Sequence, residues 1–156
     1  MRRQIAAVGV VVLAGCIKPK APAPPVPHSA MEVAAPAAKT WDAVIDVFAS
    51  KNIPIKTMDH SSGFIAAEEM RVPRPQKRGE ASPYADCGTM NRIPQVPTHA
   101  NYNIRVKGDS TRSTVQVTVL WKQIYDVASG ATTECSTKGV WETDAETEIK
   151  RRAETR

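Results

Sequence analysis

Acidic, imidazole and thiol side chains are the residues through which this sequence could catalyse a reaction. Glu68 and Glu69 are adjacent, and neighbouring strand residues point to opposite faces, so we interpret them as a solvated strand end. Asp59 and His60 fall at a predicted turn, and no serine or cysteine nucleophile is placed by a recognisable elbow. The other candidates lie in one long loop and comprise Asp86, Cys87 and His99. The sequence predicts no catalytic site and no cofactor, and we expect no enzyme.

Cys16 is preceded by a segment with the organisation of a secretory signal. Arg2 and Arg3 are followed by an apolar run of about ten residues, which is too short to span a bilayer, and then by small residues. Residues 13–16 read Leu-Ala-Gly-Cys and resemble the lipobox of bacterial lipoproteins. The resemblance implies a signal peptide at residues 1–15, lipidation of Cys16 and a mature chain that begins there. An ordinary signal peptide that contains a cysteine by chance is the alternative.

Lipidation at Cys16 predicts permanent attachment to a membrane. Each buried acyl methylene stabilises the attachment by about 0.8 kcal/mol, and the resemblance implies three acyl chains on the cysteine. Ile17 stands where an Asp would retain an enterobacterial lipoprotein at the inner membrane. The resemblance therefore implies a lipid-anchored protein on the periplasmic side of the cell outer membrane. The inner membrane is the alternative, because this sorting rule differs between bacterial lineages.

Residues 16–38 are rich in proline and alanine, and the prolines are spaced too densely for a helix or a sheet. We predict a tether in the extended polyproline II conformation, on the order of 60 Å long at about 3.1 Å per residue. A docking site for a proline-recognising partner or for peptidoglycan is the alternative. His28 lies within this segment, and we assign it no chemical role.

Residues 39–156 provide enough chain for a single domain with a modest core. The formal net charge of the whole sequence is +5, and removal of Arg2 and Arg3 with the signal leaves +3. The basic residues are scattered, whereas nucleic-acid binding requires a concentrated basic patch. We therefore expect no nucleic-acid partner.

Cys87 and Cys135 are the thiols of the predicted domain, and export to an oxidising compartment favours a disulfide between them. Such a bond closes a loop of about 49 residues and is worth about 3 to 4 kcal/mol if it acts by restricting the unfolded chain. A metal site with His60 or His99, and a reactive cysteine with a histidine base, are the alternatives. Both are disfavoured, because a zinc site requires four regularly spaced ligands and because a second cysteine consumes a free thiol.

Hydrophobic periodicity predicts a helix at each end of the domain. Thr40 is the predicted N-cap of the first helix, which ends before Asn52. The second helix covers residues 138–153, or starts later if Thr143 and Glu146 form a capping box. Its early acidic and late basic residues suit the helix dipole. The apolar stripe of the first helix comprises Trp41, Val44, Ile45 and Phe48.

Alternating residues predict antiparallel strands between the two helices. Residues 53–57 and 64–70 form the first predicted hairpin, and residues 101–107 and 114–121 form the second. Residues 71–99 contain five prolines and show no sustained period. We predict a long loop there, and loops of this length are usually functional or disordered.

The order of these elements predicts a two-layer α+β fold, in which an antiparallel sheet of four to five strands packs with an N-terminal and a C-terminal helix. The order, the segments 41–48, 52–55 and 62–65, and the Gly-Val-Trp-Glu sequence at residues 139–142 are similar to helix-grip domains of bacterial lipoproteins. The C subunit of the outer-membrane β-barrel assembly machinery is such a lipoprotein and carries two of these domains. The resemblance implies one helix-grip-like domain here.

Three functions are compatible with these features. We predict a non-enzymatic module that binds an envelope protein partner through the long loop, the concave sheet face or the helices. The second function is a helix-grip carrier of a small ligand or lipid, which requires more apolar sheet residues than two helices cover. The third is a hydrolase or cell-wall enzyme, which requires a polar cluster that the sequence does not show. The sequence identifies no binding residues for a partner and predicts no metal ligands.

Replacing Cys16 by Ala tests the anchor, because acylation requires the thiol. We expect the Cys16→Ala protein to leave the membrane fraction or to remain unprocessed, as measured by membrane fractionation and the mass of the N-terminal peptide. Ile17→Ala, which keeps the thiol, should stay in the membrane fraction. A Cys16→Ala protein that is as membrane-bound as the parent contradicts the anchor.

Overall fold

The structure is a computed structural model that describes residues 19–73, 77, 79–90, 92–126 and 129–155. Within these ranges the chain forms two helices and a large antiparallel sheet, which confirms the α+β class. None of the described helices is long and apolar enough to cross a bilayer. The predicted signal peptide and Cys16 lie outside the described residues. The elements in chain order are β1 (Met31–Val33), α1 (Ala37–Ser50), β2 (Ile55–Asp59), β3 (Phe64–Ala67), β4 (Met70–Arg71), β5 (Ala85–Asp86), β6 (Thr89–Met90), β7 (Ile93–Pro94), β8 (His99–Gly108), β9 (Ser113–Asp126), β10 (Ala131–Thr137) and α2 (Val140–Thr155).

The longest strands, β8 and β9, form the centre of the sheet. They pair antiparallel, with Tyr102 opposite Val119 and Ile104 opposite Val117. These four side chains are buried, because alternate residues of a strand share one face, whereas Leu120 on the other face is 53% exposed. The second predicted hairpin is confirmed, with one face in the core and one face in solvent.

Eight strands of the described chain form the main sheet, in which β2-β3-β8-β9-β10-β5 is the order of neighbours. The pairing of β2 with β3 confirms the first predicted hairpin. β4 shares an edge of β8 with β3, and β1 shares an edge of β9 with β10. The expected four to five strands are too few, because β1, β4 and β5 contain only two or three residues each. Strands this short show no alternation in a sequence.

Helix α1 packs against β8 and β9, and α2 packs against both α1 and β9. The predicted N-cap of α1 is wrong, because the helix begins at Ala37 after Pro36 and includes Thr40. The Thr40 hydroxyl is buried 2.7 Å from the Ser113 hydroxyl, so it connects the helix to β9 instead of capping the helix. The buried side chains of the predicted stripe are Trp41, Val44 and Phe48.

Helix α2 begins at Val140, so the later start suggested by a capping box of Thr143 and Glu146 is wrong. The Thr143 N–H donates to the Gly139 carbonyl at 3.0 Å, which continues the helical pattern from before the proposed cap. The Thr137 hydroxyl instead accepts the Gly139 N–H at 3.1 Å. Glu146 lies in the second turn, where its side chain points into the core.

The tether prediction is wrong where the structure describes that segment, and the folded part begins before residue 39. Strand β1 pairs with β9. Ahead of it lie residues 19–30, the N-terminal segment, which forms hydrogen bonds with β5, β6 and β10. Lys20 and Thr89 exchange two backbone hydrogen bonds of 3.1 and 2.9 Å, and the Val26 N–H donates to the Thr137 carbonyl at 3.2 Å. Prolines suit this position, since an edge segment uses few of its N–H groups.

The predicted disulfide is present between Cys87 and Cys135. Cys87 follows β5, and β5 pairs with β10, the strand that carries Cys135. Strands β6 and β7 form a separate two-stranded hairpin directly after this point. The prediction of a continuous loop at residues 71–99 is therefore wrong for its second half, which the disulfide and the short strands hold in place.

Gly63 and Gly130 provide a matched test of the turn between β2 and β3. Both have a left-handed backbone, with φ of 69° and 68°, so alanine is strained by about 1 to 2 kcal/mol at either position. A Cβ at Gly63 would also clash with the Val106 carbonyl oxygen, whereas at Gly130 no described atom lies within 4 Å of one. We expect urea denaturation to show Gly63→Ala less stable than Gly130→Ala by about 1 to 3 kcal/mol. Equal losses contradict the packing of this turn on β8.

Candidate binding groove

A groove of about 820 Å³ lies between the chain that follows β4, the end of α1, the start of α2 and inward-facing residues of β8 and β9. Its volume falls within the usual range of ligand-binding sites. We call it the aromatic groove, because four rings form its floor. These rings belong to Tyr84, Tyr102, Trp121 and Trp141.

The floor of the aromatic groove is a continuous set of ring contacts. Tyr84 stacks on Trp121, with ring centroids 5.8 Å apart and 5° between the planes. The ring centroid of Tyr102 lies 6.2 Å from that of Trp121, in an edge contact, and 4.4 Å from that of Trp141. Burial, followed by the neighbouring Tyr84 and Glu142, raises the pKa of Tyr102 to about 12. The floor is therefore built from aromatic rings and suits an apolar group.

Three of these rings lie on regular strands or helices, whereas the position of the fourth, Tyr84, depends on the tertiary structure. Tyr102 and Trp121 occupy buried positions of β8 and β9, and Trp141 lies in the first turn of α2. Tyr84 comes from the predicted loop, and its carbonyl accepts the Lys138 N–H at 2.9 Å. The groove is not predicted from the sequence, because no local pattern places Tyr84 over the sheet. The aromatic residues at inward strand positions were the available signal.

Trp121 gives the floor a polar group as well. Its indole Nε1 is buried and has no hydrogen-bond partner among the residues that the structure describes. A buried donor without an acceptor costs about 1 to 3 kcal/mol. Because this nitrogen is buried, a ligand carbonyl or carboxylate could satisfy it only after a movement of the ring.

The charged residues that line the groove are mostly basic. Among the described ones, Lys51, Arg71 and Lys77 are basic and Glu80 is acidic. Lys51 Nζ lies 5.9 Å from the centre of the Trp141 ring, in a cation–π contact. A neutral aromatic floor and a positive rim favour an apolar group flanked by negative charge.

A second cluster of titratable residues joins α2 to the N-terminal segment. Glu146 is fully buried, and its Oε1 accepts the Val117 N–H at 2.7 Å and lies 2.8 Å from Nε2 of His28. Burial raises the pKa of Glu146, and this effect exceeds the lowering by Val117 and His28. From the sequence, His28 has no predicted role, and Glu146 is predicted to lie near the helix N-terminus as a favourable charge or as part of a capping box. The structure instead makes both part of one buried contact.

Glu142 lies one helical turn before Glu146 and is also buried. Its Oε1 accepts a hydrogen bond from the Thr137 hydroxyl at 2.6 Å. In the described part of the chain, Oε2 of Glu142 and Oε2 of Glu146 have no hydrogen-bond partner. Glu146 satisfies the Val117 N–H of β9, and Glu142 satisfies the Thr137 hydroxyl of β10. We therefore interpret the pair as structural.

The acidic residues considered for catalysis form hydrogen bonds or ion pairs within the fold. The Asp59 carboxylate accepts hydrogen bonds from Ser61 and Ser62 in the β2–β3 turn, and these bonds lower its pKa to about 2. Glu69 forms an ion pair of 3.2 Å with Lys122. The serine hydroxyls beside Asp59 serve to close the turn, and Glu69 is paired with Lys122, so we interpret both acids as structural.

The other candidate residues, His60, His99 and Asp86, also have partners of their own. The His60 ring packs on Trp41, with centroids 4.0 Å apart, and His99 Nδ1 lies 3.0 Å from the Thr98 hydroxyl. Asp86 accepts two backbone N–H groups, which lower its pKa. Within the described ranges, no three His, Cys, Asp or Glu side chains lie together as a metal site would require.

Comparison with known proteins provides no role to transfer to this chain. No family of known proteins matches the sequence, and no curated protein matches it either.

The raised pKa of Glu146 predicts a pH dependence of stability. As pH rises above the ordinary pKa of 4.5, the unfolded chain ionises first, so the folded state loses stability until its own higher pKa is passed. Glu146→Gln keeps an acceptor for Val117 and removes this titration. Between pH 4.5 and neutral pH, we expect the free energy of unfolding of the wild type to fall relative to that of Glu146→Gln, as measured by urea denaturation.

Glu148→Gln is the control on the same helix. Arg151 and Arg152 lower the pKa of Glu148 to about 2, so its stabilisation is lost only as pH falls from 4.5 toward that value. Its stability curve should run parallel to that of the wild type above pH 4.5. The other titratable groups that face Glu146, namely His28 and Glu142, are present in all three proteins. Parallel curves for the wild type and Glu146→Gln contradict the assignment.

Proposed function

We propose that the protein is a non-enzymatic lipoprotein of the outer membrane, which faces the periplasm and binds an envelope protein partner in the aromatic groove. The observation that carries the binding role is the groove itself, with its four-ring floor and basic rim. The lipobox resemblance at residues 13–16 supports the membrane location. Two helices packed against an antiparallel sheet support a helix-grip-like module.

The chemistry of the groove indicates what its partner presents. Aromatic residues are enriched at the energetic centres of protein interfaces, and a pocket that excludes water strengthens contacts at its edge. The uncharged floor accepts an aliphatic or aromatic side chain. Lys51, Arg71 and Lys77 around it favour acidic residues on either side of that side chain. We therefore assign the groove to a peptide segment in which an apolar residue is flanked by Asp or Glu.

The polar groups inside the groove favour binding over catalysis. Ser82 lines the groove and is buried, and its hydroxyl accepts the Tyr84 N–H at 3.2 Å. The described lining residues include no histidine or cysteine to act beside it. A hydroxyl without a base is a poor nucleophile. Ser82 is better explained as a support for Tyr84.

Site-specific photo-crosslinking tests the groove in the lipidated protein within its own envelope. A photoreactive amino acid replaces Met70, which lines the groove, or Met58, an exposed methionine of β2 that is the matched control. We expect a protein adduct at position 70 that is absent at position 58. Arg71→Glu should weaken that adduct by repelling acidic residues, whereas Lys107→Glu on the solvent face should leave it unchanged.

The same experiment separates the proposal from a second candidate function. A helix-grip carrier of a small ligand or lipid is favoured by the volume of the groove and its aromatic floor. A carrier would give lipid or small-molecule adducts at position 70 and a bound mass in native mass spectrometry. Equal crosslinking at positions 58 and 70 contradicts both functions.

A further inference from the structure

We infer that the β6–β7 hairpin rests on the bilayer that holds the lipidated Cys16, with its exposed side chains against anionic phospholipid headgroups. This inference rests on the lipid anchor of the proposed function and adds the face of the domain that meets the membrane. The membrane face consists of the exposed side chains Met90, Arg92 and Ile93.

Chain length places this face near the lipid. Lys20 and Thr89 form an antiparallel bridge, so the N-terminal segment meets the domain at the start of β6. Cys16 precedes Lys20 by four residues, and an extended chain spans at most about 3.6 Å per residue, so these two residues lie within about 14 Å of each other. The headgroup layer of one leaflet is about 5 to 8 Å thick. The hairpin is therefore within reach of the surface in which the acyl chains insert.

The bridge between Lys20 and Thr89 belongs to a well-connected part of the fold. Gly88 has a φ of 79°, and a Cβ there would clash with the Lys20 carbonyl oxygen, so the close approach of the two segments requires glycine. Asp86 accepts the N–H groups of Ala23 and Gly88 at 3.0 and 2.8 Å. Cys87, which lies between Asp86 and Gly88, joins this region to β10 through its disulfide with Cys135. These bonds fix the hairpin relative to the point where the anchor leaves the domain.

The side chains of the hairpin suit a membrane surface. Met90 is 49% exposed and Ile93 is 43% exposed, although both belong to a short paired hairpin. Arg92 lies between them in sequence and is exposed. Apolar side chains enter the boundary between headgroups and acyl chains, and basic side chains attract anionic headgroups. This combination favours a lipid surface over an acidic protein, because the anchor already holds the hairpin at that surface.

The anchor also makes a small contact sufficient. Two apolar side chains and one charge bind a bilayer weakly when the protein is free in solution. Lipidation makes the contact intramolecular and gives it a high effective concentration. The hairpin then orients the domain, while the acyl chains hold it to the membrane.

Fluorescence in vesicles tests the orientation with the full lipidated protein. The protein is reconstituted in phosphatidylethanolamine and phosphatidylglycerol, with an environment-sensitive fluorescent amino acid in place of Ile93. The control carries it in place of Leu120, which is 53% exposed on the solvent face of the sheet. We expect the label at position 93 to show blue-shifted emission, quenching by spin-labelled lipids and protection from iodide. The label at position 120 should stay accessible to iodide.

Charge reversal tests the basic part of the face. Arg92→Glu should reduce lipid quenching at position 93, whereas Lys107→Glu on the solvent face should not. Vesicles that co-float with the protein but leave positions 93 and 120 equally accessible to iodide overturn the inference and leave the anchor intact. Failure to co-float overturns the anchor and the inference together. Neither result concerns the partner in the groove, which crosslinking at Met70 decides separately.

Discussion

Two strands share one edge of β9 and leave a gap between them. The arrangement of α2 and of the N-terminal residues depends on this gap. The first residues of β9 pair with β1 and its last residues pair with β10. Between these two strands, the Val117 N–H donates to Glu146 of α2 at 2.7 Å. A buried N–H without an acceptor is costly, so the carboxylate takes the place of a missing strand. Because His28 meets the same oxygen, one side chain connects helix, sheet and N-terminal segment.

This connection changes how a proline-rich segment acts. A free polyproline segment of this length would hold the domain on the order of 60 Å from its attachment point. The backbone bonds at Lys20 and Val26 instead hold the segment on the domain. With the proposed anchor at Cys16, only residues 16–20 separate lipid from folded protein. The module that we propose therefore works at the membrane surface, and its groove serves partners that come to that surface.

The aromatic residues are distributed in a way that supports a binding role. Much of the core is built from valine, isoleucine and alanine. Four of the larger rings are concentrated in the floor of the aromatic groove, where burial raises the pKa of Tyr102 to about 12. Large rings give the greatest contact area for a partner at little cost in side-chain entropy. In the proposed function, the basic rim supplies charge selectivity, so affinity and specificity arise from different parts of the same site.

The sequence by itself determined the α+β class, both main hairpins, the presence of both helices and the disulfide, because each depends on local periodicity or on cysteine pairing. Only the tertiary structure decided what the N-terminal segment does, where Tyr84 lies and why Glu146 is buried. Each of these depends on partners far away in the chain, such as Val117 for Glu146 and Lys138 for Tyr84. Hydrogen-bond partners at such separations leave no period in a sequence, since burial and pairing are settled only when the strands and helices pack.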